Sequence, residues 1–291
     1  MGVVRRDRVA GTGPTALRMQ LGARLRRLRQ VAGVTREAAG WEIRGSESKI
    51  SRMELGQVPV KARDITDLCA LYGVHPEERA ALLDLAQRAS IPGWWHRYGD
   101  IVPPWFQSYL GLEEAASQIR ACESHFVPGL LQTPEYARAV IRLGHSNTLT
   151  GDVDRRLDLR RDRQQVLRRA DPPMFWVIID EAVLRQRVGG PDVMRAQLEC
   201  LIEAAQLPHV RIQVLPFHAG AQAAGCPFSI LRFPEPELSD VVYVEQLTSA
   251  VYLDKPADLD HYAMVFDRAC VEAEPPDSTV PFLRAVRTEL D

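Results

Sequence analysis

Residues 46–57 read SESKISRMELGQ, and this stretch predicts a short helix with one apolar face. Ser46 is placed as a serine N-cap, and Gly56 follows the last turn. Ile50 and Met53 lie three residues apart, so they share one side of the helix and are expected to face a core. The remaining surface carries the polar side chains of Glu47, Ser48, Lys49 and Arg52.

The charge of the chain is unevenly distributed around this stretch. Residues 1–60 hold twelve Lys/Arg and five Asp/Glu, a balance of +7, whereas residues 91–291 hold twenty and twenty-eight, a balance of −8. A basic head on an acidic body points to an anionic partner such as nucleic acid. From charge alone, a basic surface that binds no particular partner is the alternative.

Helical periodicity continues on both sides of the opening stretch. Residues 17–31 carry leucines every three to four positions and are followed by Gly33, a good left-handed cap. VTREAAGWEI begins with Thr35 as an N-cap and predicts a second, short helix. KARDITDLCALYG and HPEERAALLDLAQRA predict two more helices after residue 57, so residues 17–90 form a five-helix domain.

This pattern resembles the helix-turn-helix domain of the Xre/Cro family. The matching residues are Thr35, Glu37, Ile43, Ser46, Ser48, Ile50, Ser51, Arg52, Glu54 and Gly56. Two pairs depart from the family pattern, Ala39-Gly40 and Arg44-Gly45. Gly40 inside a helix is expected to cost about 1 kcal/mol relative to Ala. Gly45 removes a core side chain, and Trp41 is expected to fill part of the gap that this leaves.

A helix of this size fits the major groove, and its first residues reach base edges. Base reading is therefore assigned to Glu47, Ser48 and Arg52. Phosphate contacts are assigned to Arg24, Arg27, Arg36 and Lys49, with Arg36 placed by the resemblance. The resemblance also implies a structural ion pair between Arg29 and Glu54, which would join the first and third helices.

Two segments flank this domain. The basic tail at 1–16 is expected to be disordered, either passive or laid along DNA. Residues 91–108 hold three Trp and three Pro, which predicts an ordered aromatic connector rather than a flexible linker.

The body at 109–291 is predicted to be an α+β domain with a small sheet. MFWVIID, VRIQVLPF, FSILRF and VVYVEQL read as strands, and EEAASQIRACESHF and PEYARAVIRLG read as amphipathic helices. Residues 152–171 predict a charged helix whose arginines face solvent or another subunit, with a second DNA site as the alternative. The fold class is α+β, with an all-α domain first.

No pattern in the body predicts catalysis or a bound metal. His209, His218 and Cys226 fit no metal-site spacing. Asp180, Glu181 and Glu245 form a candidate carboxylate set, but no nucleophile accompanies them. We therefore expect no enzyme and no cofactor. A ligand pocket beside the loop at 218–226 stays open as an alternative.

The resemblance extends over residues 17–290 through the motifs VPGLLQT-x-x-YARA at 127–139, RxxRQ at 160–164 and YVEQ at 243–246. The chain resembles actinobacterial, WhiJ-like regulators, which are often called antitoxin-like and have a C-terminal domain of unknown function. The resemblance implies a possible small companion protein from a neighbouring gene.

The sequence thus predicts a cytoplasmic, dimeric repressor that binds a palindromic operator and no membrane. The alternatives are an antitoxin-like module that binds its companion and a ligand-sensing or enzymatic body.

Overall fold

A computed structural model describes residues 13–144, 150–219, 227–235 and 238–290. Most of the predicted basic tail, residues 1–12, lies outside this range. Its last three residues, 14–16, are helical rather than disordered, because Pro14 starts the first helix and Thr15 and Ala16 are buried.

Five helices form the N-terminal domain, as the sequence predicted. Their bounds are α1 (Pro14–Val31), α2 (Arg36–Glu42), α3 (Glu47–Glu54), α4 (Ala62–Leu71) and α5 (Pro76–Ala89). Leu21 and Leu25 of α1 pack on Ile65 of α4 and Leu82 of α5, and all four are at most 1% exposed. Gly33 has a φ of +66°, which ends α1 with the left-handed cap that glycine favours.

The connector is ordered and belongs to the body. Residues Trp94–Tyr98 form a short 3₁₀ turn, and α6 (Pro104–Ala115) begins before the predicted boundary at residue 108. Trp95, Tyr98 and Val102 are buried in a small core of their own. The aromatic residues therefore serve packing, and the boundary between connector and body falls inside a helix.

The body contains a six-stranded mixed sheet, which confirms the predicted fold class. Its strands are β1 (Gln118–Glu123), β2 (Met174–Asp180), β3 (Val210–Leu215), β4 (Phe228–Arg232), β5 (Val241–Glu245) and β6 (Ala250–Leu253). Their order across the sheet is β3-β2-β1-β4-β5-β6. The pairs β1–β2 and β2–β3 are parallel, and the other three pairs are antiparallel.

Helices cover both faces of this sheet. The remaining helices are α7 (Pro134–Gly144), α8 (Thr150–Gln164), α9 (Glu181–Arg185), α10 (Pro191–Ala204), α11 (Pro256–Glu272) and α12 (Thr279–Thr288). Val177 of β2 faces the core formed with α6, α10 and α12, whereas Ile178 faces the core formed with α11. Burial on both faces explains why β2 is an almost continuous apolar run.

One predicted element was wrong. The stretch EEAASQIRACESHF is not a single helix, because α6 ends at Ala115 and β1 follows as an interior strand. Ile119 and Cys122 are three residues apart, which also suits a helix, yet they face opposite sides of the sheet. Pairing with β2 and β4 decides the conformation of this segment.

The first helix joins the two parts of the molecule. Ala16 is buried in the core of the body, and Met19 packs against that core. Gly111 of α6 lies so close to α1 that a Cβ there would overlap Thr15 Oγ1. The N-terminal end of α1 is thus part of the body, whereas its later turns support the five-helix domain. None of the described helices is long and apolar enough to span a membrane.

Candidate nucleic-acid interface

Helix α3 is anchored on one side and open on the other. Ser46 Oγ accepts a hydrogen bond from Lys49 N at 3.2 Å, which caps the helix. Ile50 and Met53 are each 1% exposed and pack with Ala39 of α2. The side chains on the opposite face, those of Glu47, Ser48 and Arg52, are exposed. The helix therefore presents its polar face to solvent.

The turn between α2 and α3 is tight because of a glycine. Thr35 Oγ1 caps α2 by accepting from Ala38 N at 3.1 Å. Near the other end of α2, a Cβ on Gly40 would lie 2.9 Å from the carbonyl carbon of Ser46, closer than real Cβ atoms approach backbone. Gly40 thus allows α2 to touch the start of α3. Trp41 does not fill a gap, because it points outward with 80% exposure.

The turn itself uses unusual backbone geometry. Arg44 has a φ of +51°, a left-handed conformation that is uncommon outside glycine. Gly45 N donates to Gly40 O at 2.8 Å, which closes the end of α2. The Arg-Gly pair that departs from the family pattern therefore forms an ordered turn.

An ion-pair network behind α3 fixes its orientation. Arg29 Nε lies 2.5 Å from Glu54 Oε1, and a second guanidinium nitrogen of Arg29 lies 3.1 Å from Oε2. Their side chains are only 10% and 2% exposed. Arg29 also donates to Val34 O at 2.8 Å, so it ties α1 to the loop before α2. The hydrogen bonds that Arg29 donates to Glu54 raise the pKa of Arg29.

Two of the four residues assigned to phosphate form close ion pairs within the protein. Arg36 Nε lies 3.1 Å from Glu54 Oε2, and Lys49 Nζ lies 2.7 Å from Asp64 Oδ2. Their side chains are about one-third exposed, at 33% and 34%. A phosphate would have to compete with, or add to, these carboxylates.

The other two residues lie on α1. Arg27 is 59% exposed and lies 3.9 Å from Glu78, so its charge is largely available. Arg24 is partly buried, and its Nε has no hydrogen-bond partner among the described residues. Contact of any of the four with phosphate stays a prediction.

Arg52 is well placed for contact with a base edge. Its only hydrogen bond among the described residues joins its Nε to Ser48 O at 3.5 Å, the limit of a useful interaction. Arginine can donate two parallel hydrogen bonds to guanine, and a glutamate such as Glu47 can accept one from cytosine. The exposed face of α3 thus carries a donor and an acceptor of these kinds, and base reading by them stays a prediction.

In the body, the three sequence motifs meet around one polar cluster. Gln164 of the RxxRQ motif donates from Nε2 to Gln132 O at 2.8 Å and to Gly129 O at 3.1 Å, both in the VPGLLQT motif. The ring of Tyr243, from the YVEQ motif, lies 4.1 Å from that of Tyr109 in α6. The sequence identified these motifs but did not show that they converge.

The arginines of this cluster are not solvated, contrary to the prediction for residues 152–171. Arg163 Nε lies 2.6 Å from Glu113 Oε2, with exposures of 13% and 2%. Arg160 bonds to the side chain of Gln132, and its desolvation lowers its pKa to about 10. In the sequence, the arginines of α8 appeared solvated because acids are interleaved with them. In the structure, one face of α8 packs against other elements of the body.

Burial also affects an acid in the cluster. It raises the pKa of Glu123, the last residue of β1, to about 8, with Arg163 acting in the opposite direction and Glu245 adding to the shift. Glu245 accepts a hydrogen bond from Tyr243 Oη at 2.8 Å.

The other candidate residues of the body have local structural contacts. Asp180 Oδ1 accepts from Ala182 N at 2.8 Å and caps α9. Glu181 Oε2 accepts from Phe217 N at 2.9 Å, and its other oxygen bonds Arg185. His209 Nε2 lies 3.0 Å from Leu167 O. Cys226 lies outside the described residues, within which no His, Cys, Asp and Glu side chains cluster as metal ligands would.

The geometry of α2, the turn and α3 defines a helix-turn-helix domain, and a family model described as a helix-turn-helix domain matches residues 20–82. A second model, described as a domain of unknown function (DUF5753), matches residues 106–285, which is more than half of the chain. The chain belongs to this family and is a DNA-binding regulator by its first domain. No curated protein and no solved structure matched it.

Proposed function

We propose that the protein is a sequence-specific transcriptional repressor that binds its operator as a dimer. The observation that carries this proposal is the free polar face of α3, where Glu47, Ser48 and Arg52 are exposed while Ile50 and Met53 hold the helix from behind. A groove-binding helix needs this division. Repression requires only that a bound dimer occupies the operator. A cytoplasmic location follows from chromosomal DNA as the partner.

The short length of α3 supports the dimer. Eight residues span about 12 Å at 1.5 Å per residue, so one copy reads only a few base pairs. Two copies on half-sites one helical turn apart would supply the missing specificity. A palindromic operator follows from the two-fold symmetry of such a dimer.

The sheet edge offers a surface for this association. β6 is an edge strand, and no strand pairs with its outer side among the described residues. Leu247 beside it is 94% exposed, and Val251 within it is 41% exposed. Apolar side chains on an unpaired edge favour pairing with another chain. We propose a second copy of this chain as the partner.

Operator binding is testable with duplexes selected from random sequence. Fluorescence anisotropy on the selected duplex and on single-base variants would compare the wild type with Arg52→Ala. We expect Arg52→Ala to lose about 1–3 kcal/mol on the selected duplex and to become indifferent to one base position. Arg88→Ala, at an exposed arginine on α5, is the control and should bind normally. An equal loss on every duplex would rule out base reading by Arg52.

The oligomeric state separates the dimer from the antitoxin-like alternative. Light scattering during gel filtration should give twice the chain mass of 32.6 kDa for the wild type and a monomer for Val251→Lys. A monomeric wild type that forms a stable complex with the small product of a neighbouring gene, when co-expressed, would favour the antitoxin-like module instead. The WhiJ-like resemblance accommodates both outcomes. We propose no catalytic role for the body.

A further inference from the structure

A cleft of about 620 Å³ lies between the helix-turn-helix domain and the body. One wall is formed by α1 and by the residues directly after α3, 55–57. The other wall is formed by α6 and by the sheet edge at β5 and β6. The volume is within the range of cavities that hold small molecules. Any occupant would contact both parts of the molecule.

The body side of the cleft is largely apolar. Leu112, Val241 and the aromatic rings of Trp105 and Tyr252 line it, and Met19 faces them from α1. Tyr252 Oη donates to Trp105 O at 2.5 Å, so the hydroxyl is already satisfied. The ring surface left in the cleft is suited to an aromatic or aliphatic group.

The α1 side is cationic. Arg18, Arg26 and Arg27 line it. The acids in the lining are Glu54, which already binds two arginines, and Asp254. The positive charge of the wall therefore exceeds its free negative charge.

Among these residues, Arg18 gives the strongest indication of an anion site. It is partly buried and donates to Thr15 Oγ1 at 3.0 Å. Its Nε is buried without a hydrogen-bond partner, and no carboxylate of the described residues forms an ion pair with it. Desolvation lowers its pKa. Partial burial of an arginine without a counter-ion carries a desolvation cost, and an anion bound there would offset that cost.

We propose that this cleft binds an amphipathic organic anion. Its acidic headgroup would pair with the Arg18 guanidinium, and its apolar part would lie against Trp105 and Met19. A carboxylate, a sulfonate or a phosphate monoester on a small hydrophobic body has the required chemistry.

Such a ligand would affect DNA binding, a consequence that rests on the proposed function. Residues 55–57 directly follow the base-reading helix, and Arg27 is assigned to DNA phosphate. An anion on Arg18 shares the cleft wall with Arg26 and Arg27 and weakens the attraction of that wall for phosphate, so occupancy weakens operator binding. By linkage, the operator weakens binding of the ligand by the same factor.

The fluorophore 8-anilinonaphthalene-1-sulfonate is a suitable probe because it is an amphipathic anion. Titration of the full chain should show a saturable rise in fluorescence at one probe per chain. Arg18→Gln should raise the dissociation constant of this probe about tenfold, as expected for the loss of a charge-assisted hydrogen bond. The neutral analogue N-phenyl-1-naphthylamine should bind both proteins equally. Arg88→Gln is the control and should change neither affinity.

A second variant tests the place of binding without altering charge. Ser108 of α6 lines the cleft and is exposed, so Ser108→Trp should fill the cleft and abolish binding of both probes while the melting temperature stays unchanged. Ala80→Trp adds the same side chain at an exposed position on α5 outside the cleft and should bind both probes normally. Unchanged sulfonate binding in Arg18→Gln and Ser108→Trp would overturn the site.

Operator titrations with and without the sulfonate probe then test the coupling. The coupling is supported if the probe weakens operator binding of the wild type but not of Arg18→Gln. Unchanged operator affinity at saturating probe would overturn the coupling and leave the site standing. A chain that binds no DNA would overturn the proposed function. The fluorescence titration would still decide whether the cleft binds the anion.

Discussion

Arg29 of α1 and Glu54 of α3 form a buried ion pair, with 2.5 Å between Nε and Oε1. This pair joins the scaffold helix to the helix that is proposed to read DNA. Glu54 is the end residue of α3, so the pair fixes the direction of that helix from behind. Among the polar residues of α3, Glu54 thus points inward to Arg29, whereas Glu47, Ser48 and Arg52 point outward.

Glu54→Gln should destabilise the helix-turn-helix domain by about 3–5 kcal/mol, because it leaves Arg29 buried without its counter-ion. Urea unfolding followed by circular dichroism would measure the loss. Asp84→Asn, which breaks an exposed pair with Arg88 at 3.7 Å, is the control and should cost less than about 1 kcal/mol. Similar small losses in both variants would mean that the buried pair does not hold α3.

Gly40→Ala should destabilise the protein although alanine has the better helix propensity. The added Cβ would meet backbone atoms of Ser46 and Glu47, which cannot move aside without shifting α3. We expect a loss of about 1–3 kcal/mol in urea unfolding, as for overpacking, together with weaker operator binding. Gly45→Ala is the matched control, since its Cβ would come too close only to the flexible Lys49 side chain, at 2.8 Å, and would lie at ordinary contact distance from Ile43. A gain of stability in Gly40→Ala would contradict the close approach.

Arg27→Gln should reduce the slope of log K against log salt by about 0.9, the value for one phosphate contact. Lys49→Gln should change the slope much less, because Lys49 is already paired with Asp64 at 2.7 Å. Anisotropy titrations between 50 and 200 mM salt, roughly the range over which such slopes are measured, would compare the two. Equal reductions would show that Lys49 exchanges Asp64 for a phosphate.

Glu123→Gln should stabilise the protein at pH 8.5 more than at pH 5. The folded-state pKa of Glu123 is about 8, above its ordinary value of 4.5. Between these values the unfolded chain loses the proton while the folded chain keeps it, so stability falls as the pH rises. Melting temperatures at the two pH values would measure the difference. Glu203→Gln, at an exposed position in α10, is the control; a pH-independent effect of Glu123→Gln would contradict a raised folded-state pKa of this acid.

The helix-turn-helix domain was readable from sequence because its signals are local. Ser46 and Thr35 cap helices within three residues of themselves, and Ile50 and Met53 show helical spacing. The sequence was less informative about Gly40, which looked like a defect in a helix. Only the position of the next helix reveals that glycine is required there.

The body was harder to predict because its decisive contacts are distant along the chain. β1 is a strand because β2 and β4, more than fifty residues away, pair with it on both sides. Arg163 is buried because Glu113, fifty residues earlier, neutralises it. Interleaved acids made the same arginine look solvated in the sequence.

The sequence by itself thus determined the five helices, the N-caps of α2 and α3, the outward face of α3 and the α+β class of the body. Tertiary structure decided which charges are free. It paired Arg36 and Lys49 with carboxylates and left Arg18 without one, in a cleft that exists only because α1 packs on α6. The physical reason is that periodicity and capping act over a few residues, whereas burial and ion pairing depend on where distant segments meet.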